Sequence, residues 1–160
     1  MRNTFDRFNG RHQDYQAARP SYAQEFLDWL GELYAPPERY TAADIGSGTG
    51  KLSAQLLAAG FRVCGVEPNP DMRGAAEALL GGDPRFSSSN GTDHDTGLPD
   101  RSVDMVAAAQ AFHWFDGPAF ARECRRILRP GGRAVLVWNV RESAPVNQAL
   151  AQVFREHCPS

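Results

Sequence analysis

Residues 42–50 read Ala42-Ala43-Asp44-Ile45-Gly46-Ser47-Gly48-Thr49-Gly50, and the fold turns on how they are read. Ala42, Ala43 and Ile45 suit a short buried strand. Gly46, Gly48 and Gly50 then make a tight turn, and Lys51 to Ala59 continues as a helix with Leu52, Leu56 and Ala59 on one face. Strand, glycine turn and helix in that order form the ligand corner of a doubly wound α/β fold, where the carboxyl ends of the strands open into a crevice. The helix start offers unpaired backbone N–H groups. Glycine lets backbone approach a ligand with no side chain in between.

The spacing of the glycines narrows the ligand. Dinucleotide sites use G-x-G-x-x-G, and a phosphate loop uses G-x-x-x-x-G-K-[ST]; this chain has G-x-G-x-G, followed by Lys51-Leu52. Asp44, just ahead of the first glycine, repels a pyrophosphate and favours an ammonium. S-adenosylmethionine (AdoMet) has an amino group and no phosphate. Asp44 to Gly50 resembles the first motif of class I AdoMet-dependent methyltransferases. The resemblance implies a Rossmann-like fold in which Asp44, Gly46, Ser47, Gly48 and Gly50 hold the methionine end of the cofactor.

At 160 residues the chain is one domain by length, able to bury about two thirds of its unfolded surface. No segment reaches the ~18 apolar residues of a membrane span, and the charged start Met1-Arg2-Asn3 leads into no apolar h-region. Cys64, Cys124 and Cys158 are scattered and form no C-x-x-C, which points to a reducing, cytoplasmic location without disulfide or metal site. A net charge of −2 gives no footprint of sequence-independent nucleic-acid binding. Lys51 is the only lysine, and with abundant Ala and Gly this reads as codon bias rather than a phosphate-reading surface.

Residues 1–19 are polar and arginine-rich with no period, so they read either as a terminal arm or as an aromatic lid over the ligand. Tyr15-Gln16-Ala17-Ala18-Arg19-Pro20-Ser21-Tyr22 resembles a segment ahead of the first domain helix in one methyltransferase subgroup, which implies Tyr15 and Arg19 near the methionine end. Residues 20–160 are expected to form the cofactor-binding domain. Pro20 suits the first turn of a helix in which Phe26, Leu27, Leu30 and Leu33 recur, ending before Pro36-Pro37. Tyr40 to Ile45 is strand one. Phe61, Val63 and Val66 alternate as strand two, which ends at Glu67. A carboxylate there can accept from ribose hydroxyls; the alternative is a solvated loop glutamate. Val66-Glu67-Pro68-Asn69-Pro70-Asp71-Met72 resembles the family's second motif, which implies the ribose role for Glu67 and puts Pro68 and Met72 beside the cofactor, Met72 against the adenine. Asp71 is expected to cap the following helix.

Arg85 to Ser89 reads as a weak, polar third strand. In the family an acidic residue after it accepts from the adenine amine. Aligned on Leu98-Pro99, Thr92 stands at that place and Asp93 one residue later, so either takes the contact unless the loop is only an acidic cap; His94 is expected in solvent. Ser102 to Ala109 is strand four, beside strand one. Ala111 to Asp116 resembles a segment of a subgroup that includes enzymes acting on small carboxylic acids. That implies Gln110 near the methyl group, with His113 and Trp114 on the acceptor side and His113 as the one candidate base. The alternative makes Trp114 and Phe115 core aromatics and His113 a helix-capping residue.

Asp116 suits an N-cap with Pro118 in the first turn. Phe120, Cys124, Ile127 and Leu128 form an apolar stripe, with Arg122, Arg125, Arg126 and Arg129 outward. Arg129-Pro130-Gly131-Gly132 ends that helix. Ala134 to Val140 reads as a fully buried strand five with Asn139 on the substrate side, and Ala144 to His157 as a last helix. The expected fold is α/β, doubly wound, with a mostly parallel sheet in order 3-2-1-4-5 and helices on both faces. The family's sheet has seven strands, so the resemblance implies a domain truncated after strand five, whose apolar edge predicts a homodimer or a swapped element. The expected function is AdoMet-dependent methyl transfer to a small-molecule acceptor, favoured over nucleic acid although a specific RNA is not excluded, with no membrane. Two rivals remain: an AdoMet-binding but inactive subunit, and an NAD-type oxidoreductase, which Glu67 alone would allow.

Overall fold

The sheet grows outward from β1 (Thr41–Ile45). β2 (Arg62–Val66) pairs in parallel on one side, placing Cys64 against Ala43. β4 (Val103–Ala109) pairs in parallel on the other, placing Val106 against Ala43. β3 (Phe86–Ser89) and β5 (Leu128–Val137) are the edges among the described residues, so the order is the expected 3-2-1-4-5, with every pairing parallel. The computed structural model describes residues 21–139. The expected arm or lid over 1–19 with Tyr15 and Arg19, the role of Pro20, the end of strand five at Val140 and the last helix lie outside the described residues.

Parallel neighbours need crossovers, usually helical. α2 (Lys51–Ala58) follows β1, α3 (Pro70–Leu80) follows β2, and α4 (Gly117–Ile127) links β4 to β5. α1 (Gln24–Leu33) precedes the sheet. Side chains alternate along a strand, and this splits the core in two. Ala42, Val63, Met105 and Ala107 face Leu30, Leu52 and Leu56 of α1 and α2. Ala43, Ile45, Cys64, Val66, Val106 and Ala108 face Phe120, Cys124 and Ile127 of α4. The same alternation turns Asp44 towards α2.

Several boundaries differ from the sequence reading. α1 starts at Gln24, past Pro20. Strand two is not alternating: Val63, Cys64, Gly65 and Val66 are all buried because helices or loops cover both faces of a central parallel strand. Asn69, not Asp71, caps α3, its Oδ1 accepting from the N–H groups of Asp71 and Met72, both at 3.0 Å. Asp116 caps α4 as expected, its Oδ1 2.9 Å from the Ala119 nitrogen. Strand five is not fully buried: Ala134 is exposed and Val135, Leu136 and Val137 are half-buried, as suits a sheet edge. Arg129-Pro130-Gly131-Gly132 lies within β5 as an irregularity: β4 advances from Val103 to Met105 while β5 advances from Leu128 to Arg133. Two of the outward arginines are tied down, Arg126 to Glu123 and Asp100, Arg129 to Asp104. No helix among the described residues is long and apolar enough to cross a membrane.

Candidate functional site

The carboxyl ends of β1, β2 and β4 meet at one rim, where the chain order reverses across β1 and a crevice opens. The glycine loop is folded over that rim by backbone bonds. The N–H groups of Gly46 and Ser47 both donate to the Val66 carbonyl, at 2.8 and 3.2 Å, and Gly50 N–H donates to Ser47 at 3.0 Å. Gly46 and Gly48 have φ of +71° and +57°, a region costly for residues with a Cβ. A Cβ on Gly46 would stand 2.8 Å from Ala111 Cβ, whereas one on Gly48 would project into open space.

Glu67 fastens this loop. It is 9% exposed, and its Oε2 accepts from Gly48 N–H while Oε1 accepts from Asn69 N–H, both at 2.9 Å. Burial pushes its carboxyl above the ordinary range, against the pull of those two donors. Each oxygen keeps lone-pair capacity for a further donor. Asp44 is 1% exposed and accepts from Ser53 Oγ of α2 at 2.7 Å. Burial pushes its carboxyl up to about 6, with Ser53 opposing and the Glu67 charge adding to the rise. Arg73 braces the rim, with Nη1 donating to Glu67 O at 2.8 Å and to Asn90 Oδ1 at 3.0 Å.

Two neighbouring recesses share Gly46, Gly48 and Ala109. The larger, about 770 Å³ and open to solvent, brings together Glu67, Pro68, Met72, Thr92, Asp93, Gln110 and Trp114 from the sequence reading. The smaller, about 410 Å³, is lined by Asp44 and Ser47. Gly50 does not line either; a Cβ there would lie 2.9 Å from Leu80 Cδ1 and 3.1 Å from Ala76 Cβ, so it serves the packing of α3. His113 and Asn139 do not line them. His113 is exposed and tilted against the Trp114 ring at 4.9 Å, and the Asn139 carbonyl accepts from Gln110 Nε2 at 3.4 Å. Gln110 itself has φ +56°, an uncommon conformation for a residue with a side chain.

Sequence reasoning missed several lining residues. Asn69, Ala111 and Phe115 complete the larger recess, and Tyr22, Thr49, Lys51 and Leu52 the smaller. Tyr22 is held there by Gln55 of α2, whose Oε1 accepts from Tyr22 N–H at 3.1 Å and whose Nε2 donates to Tyr22 O at 3.2 Å. On the far wall, Thr92 Oγ1 accepts from Asp95 N–H at 3.1 Å. Asp93 accepts from Asp116 N–H at 3.0 Å and contacts His94 Nδ1 at 3.0 Å; His94 is exposed as expected. No cluster of three or more His, Cys, Asp or Glu suited to a metal occurs among the described residues.

A sequence model described as a methyltransferase domain matches residues 43–136. An uncharacterized methyltransferase of Mycobacterium tuberculosis is 42% identical over 128 residues, covering 80% of this chain and 50% of that protein. Among solved structures, a chain from Anaeromyxobacter dehalogenans named as a candidate type II methyltransferase is 35% identical with a TM-score of 0.66, covering 89% of this chain and 61% of that one. A chain from a complex between a Haloferax volcanii methyltransferase activator and a candidate methyltransferase is 26% identical with a TM-score of 0.59, covering 84% and 59%. The chain spans about half the length of the curated relatives it matches.

Proposed function

Because the chain belongs to the methyltransferase domain family, we propose that its cleft binds AdoMet and serves methyl transfer to a small-molecule acceptor. The observation that carries this reading is a pair of buried carboxylates, Asp44 and Glu67, at the carboxyl ends of adjacent strands with a glycine loop between them. The residues fit the group in charge and shape. Asp44 at the smaller recess suits the ammonium of the amino-acid end. The Glu67 oxygens suit the ribose hydroxyls. Asp93 suits the adenine amine better than Thr92, because an ionised carboxylate only accepts, whereas a hydroxyl also presents a donor. Pro68, Met72 and Phe115 supply apolar walls. The open space beside Gly48 is space that any other residue would occupy.

When bound, AdoMet supplies a methyl group on a positively charged sulfur, a leaving group that needs no protein nucleophile. The chain's own residues therefore bind, align and exclude water. Gln110 and Trp114, after β4, border the acceptor side. His113 does not line the cleft, so we assign it no proton transfer. A carboxylate acceptor has no proton to lose and needs no base. The nicotinamide alternative fits poorly: a pyrophosphate would meet Asp44, Glu67 and Asp93, and among the described residues Lys51 is the one cation lining either recess.

We further propose a cytoplasmic location, in keeping with the free thiols of Cys64 and Cys124, and self-association through the half-exposed edge of β5. A scattering mass equal to one chain would exclude that association. A second reading, a cofactor-binding subunit active only with a partner, draws support from the activator complex among the structural neighbours. The test is S-adenosylhomocysteine release, read by mass spectrometry, from AdoMet and a panel of small carboxylic acids, with NADH binding measured in parallel. Turnover of an acid supports the enzyme. AdoMet binding without turnover favours the subunit, and NADH binding in its place refutes both.

A further inference from the structure

α4 carries a charge that its packing does not require. Phe120, Cys124 and Ile127 fill the core beneath the helix, yet Glu123 beside them is only 7% exposed. Its Oε1 accepts from the Thr96 N–H at 2.9 Å and from the Thr96 hydroxyl at 2.6 Å. Arg126 grips both oxygens, Nη2 to Oε1 at 2.6 Å and Nε to Oε2 at 2.8 Å, and is itself held by Asp100 at 2.7 Å. A buried carboxylate with this many donors is costly to assemble and strongly orienting once complete.

What it orients is Thr96, which is 1% exposed. The Thr96 carbonyl accepts from Ser89 Oγ, at the end of β3, at 2.7 Å. Gly91 lies hard against the Thr96 backbone: a Cβ on Gly91 would fall 2.4 Å from that carbonyl oxygen. The next residues, Thr92 and Asp93, line the larger recess. α4 touches the same loop a second time, where Asp116 N–H donates to Asp93 at 3.0 Å. Thr96 therefore fixes where Gly91 sits, and Gly91 fixes where Thr92 and Asp93 face the cleft.

We propose that Glu123 is a positioning residue for the adenine wall of the cleft, acting through Thr96 on residues 91–93; this rests on the AdoMet reading. The test has one arm without ligand and one with. In the unliganded protein, hydrogen exchange of the 91–96 amides should accelerate at least about tenfold in Glu123→Gln, with β1 and β2 amides unchanged. In the liganded arm, wild type should prefer S-adenosylhomocysteine over its analogue with hypoxanthine in place of adenine, and Glu123→Gln should lose about tenfold of that preference. Thr96→Val keeps the Glu123–Arg126 pair and should show the same selective effects more weakly, while Thr96→Ser should restore wild-type behaviour. Unchanged loop exchange overturns the proposal, as does an equal acceleration in β1 and the loop, which would mark a purely structural role. Intact base preference in both Glu123→Gln and Thr96→Val also overturns it. Failure of wild type to bind either nucleoside refutes the AdoMet reading instead, and the exchange arm then decides the loop clamp alone.

Discussion

Replacing Asp44 with Asn should make the unliganded protein more stable and unable to bind its ligand. Asp44 is buried beneath the glycine loop with Ser53 as its hydrogen-bond partner, and burial moves its carboxyl from the ordinary 3.8 to about 6. The folded state therefore holds the proton more tightly than the unfolded chain does. Stability must fall as pH rises from about 4 to about 6, and stay low above that. The full cost at pH 8 is about 3 kcal/mol, from about 1.4 kcal/mol per pH unit. At pH 5 only about half of it has accrued, because most of the folded protein still carries the proton. Asn is neutral throughout and can still accept from Ser53. Urea denaturation should accordingly show Asp44→Asn ahead by about 3 kcal/mol at pH 8 and about 1.5 kcal/mol at pH 5, with unchanged m-values. A variant less stable than wild type at pH 8, or an advantage equal at both pH values, would show that Asp44 carries no buried charge at a cost to folding. A position where the functional residue costs stability is expected of a binding site rather than of a core.

The same carboxylate should make ligand affinity depend on pH: an ammonium ligand needs Asp44 ionised, so the dissociation constant should tighten about tenfold between pH 5 and pH 7 and level off above, as read by calorimetry in buffers of matched ionic strength. Gly48→Ala should fold with a loss of about 1–2 kcal/mol, since its Cβ meets nothing, yet lose ligand binding because the methyl group stands in the cleft. Gly46→Ala should cost more than Gly48→Ala in the same melting experiment, because the added carbon meets Ala111 at 2.8 Å. Leu56→Ala, at a fully buried position between α2 and the sheet, should cost about 2–5 kcal/mol in denaturation and leave the unfolding transition two-state.

The fold was legible because its signals are local. Glycine spacing marks the turn after β1, Glu67 marks the end of β2, and apolar runs separated by helical stripes dictate a parallel sheet. Nearly all the described residues singled out for the cofactor do line the cleft, Gly50 excepted. What was not legible depends on contacts between distant segments. Nothing near Glu123 in the chain announces Thr96, and nothing near Tyr22 announces Gln55; these are side-chain hydrogen bonds without periodicity. Asn69 took the capping role expected of Asp71 because Pro70 occupies the first helical position, which puts the cap on the residue just before it. His113 illustrates the limit of resemblance. The motif places it after β4, but the short 3-10 turn Phe112–Trp114 sends Trp114 to the cleft and leaves His113 in solvent. The apolar composition of strand five suggested burial, whereas its position at the sheet edge set its exposure.

Whether the cleft holds an adenosyl ligand through Glu67 is decided by calorimetric titration of the purified chain with S-adenosylhomocysteine, alongside Glu67→Ala of matched melting temperature. Wild type should bind with micromolar affinity. In the variant binding should weaken by roughly a hundredfold, as expected for losing two hydrogen bonds to a charged acceptor. Equal affinity in both proteins, or no heat of binding in wild type, would contradict that mode of binding.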